Sequence, residues 1–133
     1  MDSTLLAVDT RGRAVVDLTG AVERFCSGRD DGLVNVFAPH ATAGLALVEV
    51  GSGSECDLAE ALSRLFPRDD RYRHRHGTQG HGADHVLPAL VCPSLSIPVL
   101  GGQPQLGTWQ SVVLVDTNGD NPHRQVRLSF LGG

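Results

Sequence analysis

Between Pro67 and the alternating run that begins at Ser94 lies the stretch Tyr72-Arg73-His74-Arg75-His76-Gly77-Thr78-Gln79-Gly80-His81-Gly82-Ala83-Asp84-His85. No other part of the sequence constrains the fold as strongly. A segment this long and this poor in apolar residues does not fill a core, and in a compact domain such loops are either functional or disordered. The core must therefore be built from the segments on either side of it. It also concentrates chemistry, because His74, His76, His81 and His85 are four of the six histidines in the chain.

The flanking segments read mostly as strands. Leu5–Asp9 and Ala14–Leu18 are short apolar runs joined by the turn Thr10-Arg11-Gly12-Arg13. A brief helix is expected over Gly20–Cys26, with Thr19 as N-cap and Gly28 as the stop. Leu33–Ala38 is β-rich and expected to be buried on both faces. Pro39 breaks it, His40-Ala41-Thr42-Ala43-Gly44 forms a corner, and Leu45–Val50 continues as a strand with Leu45, Leu47 and Glu49 on one face. The main helix is expected over Glu55–Phe66. Ser52 with Glu55, or Ser54 with Asp57, supplies its capping, and Leu58, Ala61, Leu62, Leu65 and Phe66 form its packing stripe. After the histidine-rich stretch, Leu95, Ile97 and Val99 alternate with polar residues or proline. Thr108–Val115 reads as a long apolar strand, and Val126, Leu128 and Phe130 alternate in a last one. No repeat or linker interrupts the pattern. The expectation is one domain over residues 1–133, of the α+β class, with mostly antiparallel sheet, one main helix and one short helix.

The net charge of −4 leaves no basic field for nucleic acid, and no apolar run is long enough to span a membrane. The N-terminus shows no basic segment followed by an apolar run, so no secretory signal is expected. Cys26, Cys56 and Cys92 are odd in number and widely spaced, which reads as three reduced thiols in a cytoplasmic protein. Imidazole is the commonest metal ligand in proteins, and three such groups around an open fourth position describe a zinc-type catalytic site. Within the stretch, an extended Arg71–His76 would turn Arg71, Arg73 and Arg75 one way and Tyr72, His74 and His76 the other. His40, just beyond a strand-ending proline, is the natural distant ligand. The alternative is a solvated polar loop with no ligand at all. Glu49 reads either as a general base or ligand-supporting carboxylate, or as a strand-end residue in water. The arginines read as a phosphate grip or a solvated edge, and Trp109 as a packing residue.

Taken together, His40-Ala41-Thr42-Ala43-Gly44, Glu49, Asp57, Tyr72-Arg73-His74, His85-Val86, Ser94 with Pro98-Val99, and Gly107-Thr108-Trp109-Gln110 resemble the YjbQ-like family over about residues 33–131. The resemblance implies an α+β domain that assembles as a homotrimer. It also implies a thiamine-phosphate synthase activity, joining a thiazole phosphate to a pyrimidine diphosphate, as a secondary function. By that resemblance His40, His74 and His85 hold a divalent metal, zinc or magnesium, or else an anion. Glu49 and His40 take the catalytic positions, and Thr42, Arg73, Ser94, Thr108 and Gln110 contact a small, possibly phosphorylated ligand. The alternative is a non-enzymatic trimeric module that binds metal or ligand. His76 and His81 match no family position and read as loop residues. Two departures stand out: Val48 replaces an asparagine beside Glu49, and Leu87-Pro88 replaces a lysine-containing segment, which removes an expected phosphate contact.

Overall fold

Alternation decides which residues meet. The computed structural model describes residues 1–133. Along the chain run β1 (Asp2–Asp9), β2 (Val15–Asp17), α1 (Thr19–Cys26), β3 (Gly32–Phe37), β4 (Gly44–Val48) and α2 (Ser54–Leu65). These are followed by α3 (His81–Leu90), β5 (Ser94–Leu100), β6 (Gln103–Pro104), β7 (Ser111–Val115) and β8 (His123–Gly132). The strands form two sheets, one ordered β1-β8-β3-β5-β6 and the other β2-β7-β4. Every pairing is antiparallel. The fold is α+β.

β7 explains the layering. Val112 and Leu114 join Val34, Val36, Ile97, Val99, Val126 and Leu128 in the core between the sheets. On the other face, Val113 and Val115 pack against Leu62 of α2 and Leu87 of α3. A strand buried on both faces needs a continuous apolar run, and Ser111–Val115 supplies one. The histidine-bearing helix thus lies on the outer face of the smaller sheet. The chain leaving β7 carries Asp116, Thr117, Asn118 and Asp120 to the start of that helix.

Several expectations are corrected. The stretch read as a loop ends in α3, whose Pro88 costs one internal hydrogen bond near the C-terminal end. β3 is buried on one face only: Val34 and Val36 are inside, while Leu33 and Phe37 are exposed. Thr19 is the first residue of α1 and not its cap; its hydroxyl donates to Asp17 and accepts from the Val112 N–H. Gly53 holds the N-cap position of α2, so Ser52 and Ser54 do not cap it, and Glu55 instead accepts the Gly51 N–H. Leu65 leaves the packing stripe and is 65% exposed. The long strand begins at Ser111 and not at Thr108, because Gly107–Gln110 closes as a turn. The Gln110 N–H donates to the Gly107 carbonyl at 3.0 Å and the Gln110 side-chain oxygen accepts the Gly107 N–H at 2.8 Å. Trp109 sits on that turn and is 73% exposed in the single chain.

Candidate metal centre

Helical spacing brings the first two histidines together. His81 and His85 are four residues apart on α3 and so share a face. Their Nε2 atoms lie 3.1 Å apart. The preceding segment folds back onto this face, which Gly82 permits. A Cβ there would run into the side chain of Tyr72 and would stand 2.9 Å from the His74 carbonyl oxygen. That close approach places the His74 ring 4.2 Å from His85 and 5.6 Å from His81, centroid to centroid. His76 follows with its ring 3.9 Å from that of His74. One ligand atom from each of the four imidazoles falls within a set no more than 4.8 Å across.

The four rings are held unequally. His81 is almost fully buried, and its Nδ1 lies 2.9 Å from Asp120 Oδ2 and 3.2 Å from Asn118 Oδ1. Both neighbours accept only, so Nδ1 carries the proton and the Nε2 lone pair points into the group. A carboxylate behind a histidine in this manner is the usual support of a metal ligand. Asp120 is itself placed by the Thr78 N–H, at 3.2 Å, and this bond holds its carboxyl below the usual range. Gly77, at φ +78°, is the residue that allows this approach, since a Cβ there would stand 2.5 Å from Asp120 Oδ2.

Asp84, on α3, is wholly buried. Its Oδ1 accepts from Arg68 at 2.5 Å and from the Thr117 hydroxyl at 2.8 Å. Its Oδ2 has no hydrogen-bond partner and lies 3.6 Å from His81 Nδ1. Burial, reinforced by the neighbouring imidazoles, lowers the pKa values of both His74 and His85. Neutral rings are the form that ligates metal.

An all-imidazole donor set suits zinc, copper, nickel or iron and not magnesium, which prefers oxygen. Four nitrogens at zinc distances of about 2.0–2.1 Å stand about 3.3 Å apart in a tetrahedron. The His81–His85 pair at 3.1 Å already matches this separation, and the widest pair, within 4.8 Å, would have to close by up to about 1.5 Å. Beside it lies a polar cavity of about 160 Å³, lined among others by Tyr72, His74, Arg75, Thr78 and His81.

The structure brings His74 and His85 together but leaves His40 outside their group. The His40 Nε2 lies 3.0 Å from both the main-chain N and the main-chain O of Gln125, and burial lowers its pKa. Thr42 is buried, accepting from Arg124 at 2.8 Å and from Asn118 at 3.4 Å. Glu49 is exposed just past β4. Ser94 accepts from Asn35 on the larger sheet, and Thr108 and Gln110 sit on the exposed turn before β7. Arg73 is exposed and makes no hydrogen bond, whereas Arg75 donates to the Tyr72 and Asp70 carbonyls. The sequence reading takes His76 and His81 for loop residues and does not single out Asp84, Asn118 or Asp120. The four-residue spacing of His81 and His85 was the available signal.

The family model described as UPF0047 protein YjbQ-like matches residues 4–133. The chain belongs to the YjbQ-like UPF0047 family. It is 65% identical to UPF0047 protein Rv2556c of Mycobacterium tuberculosis, with both chains covered in full. It is 33% identical to a UPF0047 protein of Archaeoglobus fulgidus over 84% of this chain and 87% of that one. Among solved structures it is similar to the hypothetical protein APE1520 of Aeropyrum pernix K1, at a TM-score of 0.88 and 33% identity over the whole of both chains. A YbjQ-like protein of unknown function from Sulfolobus solfataricus P2 superposes at a TM-score of 0.90 and 24% identity, covering 99% of this chain and 97% of that one, and so shares the fold. No helix here is long and apolar enough to cross a membrane.

Proposed function

We propose that this YjbQ-like protein binds one divalent transition-metal ion, with zinc the best match, through His74, His76, His81 and His85. The observation that carries the reading is the convergence of four imidazole ligand atoms, one of them on a buried ring backed by Asp120 and Asn118. The unpartnered Asp84 Oδ2 supports it, because it adds negative charge behind the same ring, where a bound cation needs it. A zinc ion held there would supply Lewis acidity toward an anionic ligand only at a position the histidines leave open. The test is metal analysis of untagged protein beside His81→Ala and Glu49→Ala. The expectation is about one zinc per chain in the parent and in Glu49→Ala, and loss in His81→Ala. Equal metal content in the parent and His81→Ala contradicts the proposal.

A second reading is catalytic. The family resemblance carries thiamine-phosphate synthesis, and the free guanidinium of Arg73 favours an anionic substrate. Turnover of a thiazole phosphate with a pyrimidine diphosphate, abolished by His74→Ala, supports this reading; bound zinc with no turnover leaves a non-enzymatic binding module. We carry the homotrimer as part of the proposal. Its support is the outer face of the larger sheet, where Leu33 and Leu131 pair across β3 and β8 and both are exposed, with Leu5 on the adjoining β1. Sedimentation tests it: a monomeric protein contradicts it.

A further inference from the structure

We infer that His76 is a detachable fourth ligand, which closes the metal's coordination when attached and opens one position to a small anion when released. This rests on the metal-binding reading and deepens it.

Three of the four histidines are tied to the framework. His81 is locked by Asp120 and Asn118, His85 stands on the same helix face with its Nε2 3.1 Å from that of His81, and His74, whose ring makes no hydrogen bond, is held through its backbone carbonyl, which lies against Gly82. His76 has none of these restraints. It is exposed, neither ring nitrogen has a hydrogen-bond partner, and it lies on the loop before α3 and not on the helix. Its ring is 5.2 Å from that of His81 and 6.0 Å from that of His85. Beyond it, Gly77 turns through a left-handed conformation. A ligand held by chain geometry alone is the one that leaves most easily, because no supporting bond is lost when it goes.

The space for an incoming ligand is already present. The cavity of about 160 Å³ is bordered by His74 and His81, two of the retained ligands, and gives a small ligand room beside the histidine group. Three neutral imidazoles leave the full charge of a divalent ion uncompensated by its ligands, which favours an anion at the open position. A metal with three protein ligands and one exchangeable position is the arrangement of catalytic sites, and a fourth protein ligand that stays on is the arrangement of structural ones.

Cobalt(II) reports the difference through its ligand-field absorption. The full-length parent and His76→Ala are each loaded with cobalt(II) and titrated with azide. The expected result is stoichiometric cobalt in both, with different starting spectra and a common spectrum at saturating azide. Azide binding in the parent is expected to be weaker by roughly tenfold if His76 is attached in about nine molecules of ten. His76→Gln is expected to follow His76→Ala. Loss of cobalt from both variants overturns the inference by making His76 an integral ligand. Identical spectra and azide affinities in the parent and the variants overturn it by removing His76 from the coordination. Absence of bound cobalt in the parent overturns the metal-binding reading itself, and the inference with it.

Discussion

Two buried carboxylates, Asp116, the chain neighbour of Thr117, and Asp84, which accepts the Thr117 hydroxyl, are used differently. Both oxygens of Asp116 are filled. Oδ2 accepts from Thr10 and from Arg124 Nε at 2.6 and 2.7 Å, and Oδ1 from the Asn118 N–H and a second Arg124 nitrogen at 2.9 and 3.0 Å. Asp84 is as deeply buried, but only its Oδ1 is filled, and Oδ2 faces His81 with no bond made. A fully paired buried ion fixes the shape of its surroundings, whereas an open acceptor in the interior costs free energy unless something else compensates it. The first carboxylate holds the loop after β7 in place, and the second holds negative charge in reserve behind a histidine. The contrast separates the scaffold from the site it presents.

The comparison breaks most visibly at Arg124. Arg124→Met leaves Asp116 buried and unpaired, and a loss of about 3–5 kcal/mol is expected, read from urea unfolding. A loss below 1 kcal/mol would show that this network is not the anchor of the loop. Gly82→Ala acts on the other region. The added methyl pushes Tyr72 and His74 away from α3, so about 1–3 kcal/mol of stability should be lost together with zinc affinity. Retained affinity would mean that His74 does not depend on that close approach.

Asp120→Asn sharpens the contrast further. It leaves the Arg124–Asp116 pair untouched but removes the charge behind His81. Zinc affinity should fall about 10–100-fold while the urea midpoint stays nearly constant, as measured by competition with a chromophoric chelator. A shifted midpoint with unchanged affinity would place Asp120 with the scaffold. The smallest effect is on pH dependence. The pKa values of His40, His74 and His85 lie below the ordinary value of about 6.5, so the unfolded chain binds more protons than the native one as pH falls through that region. The metal-free protein should therefore be most stable above that value and lose stability on acidification. Unfolding curves that coincide at neutral and mildly acidic pH would contradict this.

The scaffold was far more legible than the site. Leu95, Ile97 and Val99 announce β5 by their period of two, and Val126, Leu128 and Phe130 do the same for β8, because each strand buries one face. The start of β7 was misread because the Gln110 side chain closes a turn on Gly107, a bond that propensity does not register. α3 was hidden by Gly80, Gly82 and Pro88, all poor helix residues, although His81 and His85 already had helical spacing. His40 reads as a ligand from its place just beyond a strand-ending proline and from the family resemblance. Its actual partner is the backbone of Gln125, 85 residues away. The supporting residues of His81 lie beyond β7, whose Val113 and Val115 pack against Leu87 of α3, a contact between segments distant in sequence.

X-ray absorption at the zinc edge, on untagged protein loaded with one equivalent, tests the metal centre most directly. The account predicts nitrogen scatterers at about 2.0–2.1 Å with the multiple-scattering pattern of three or four imidazoles, reduced by one imidazole in His81→Ala if any zinc remains. A shell dominated by sulfur or by non-imidazole oxygen, unchanged in His81→Ala, would contradict it.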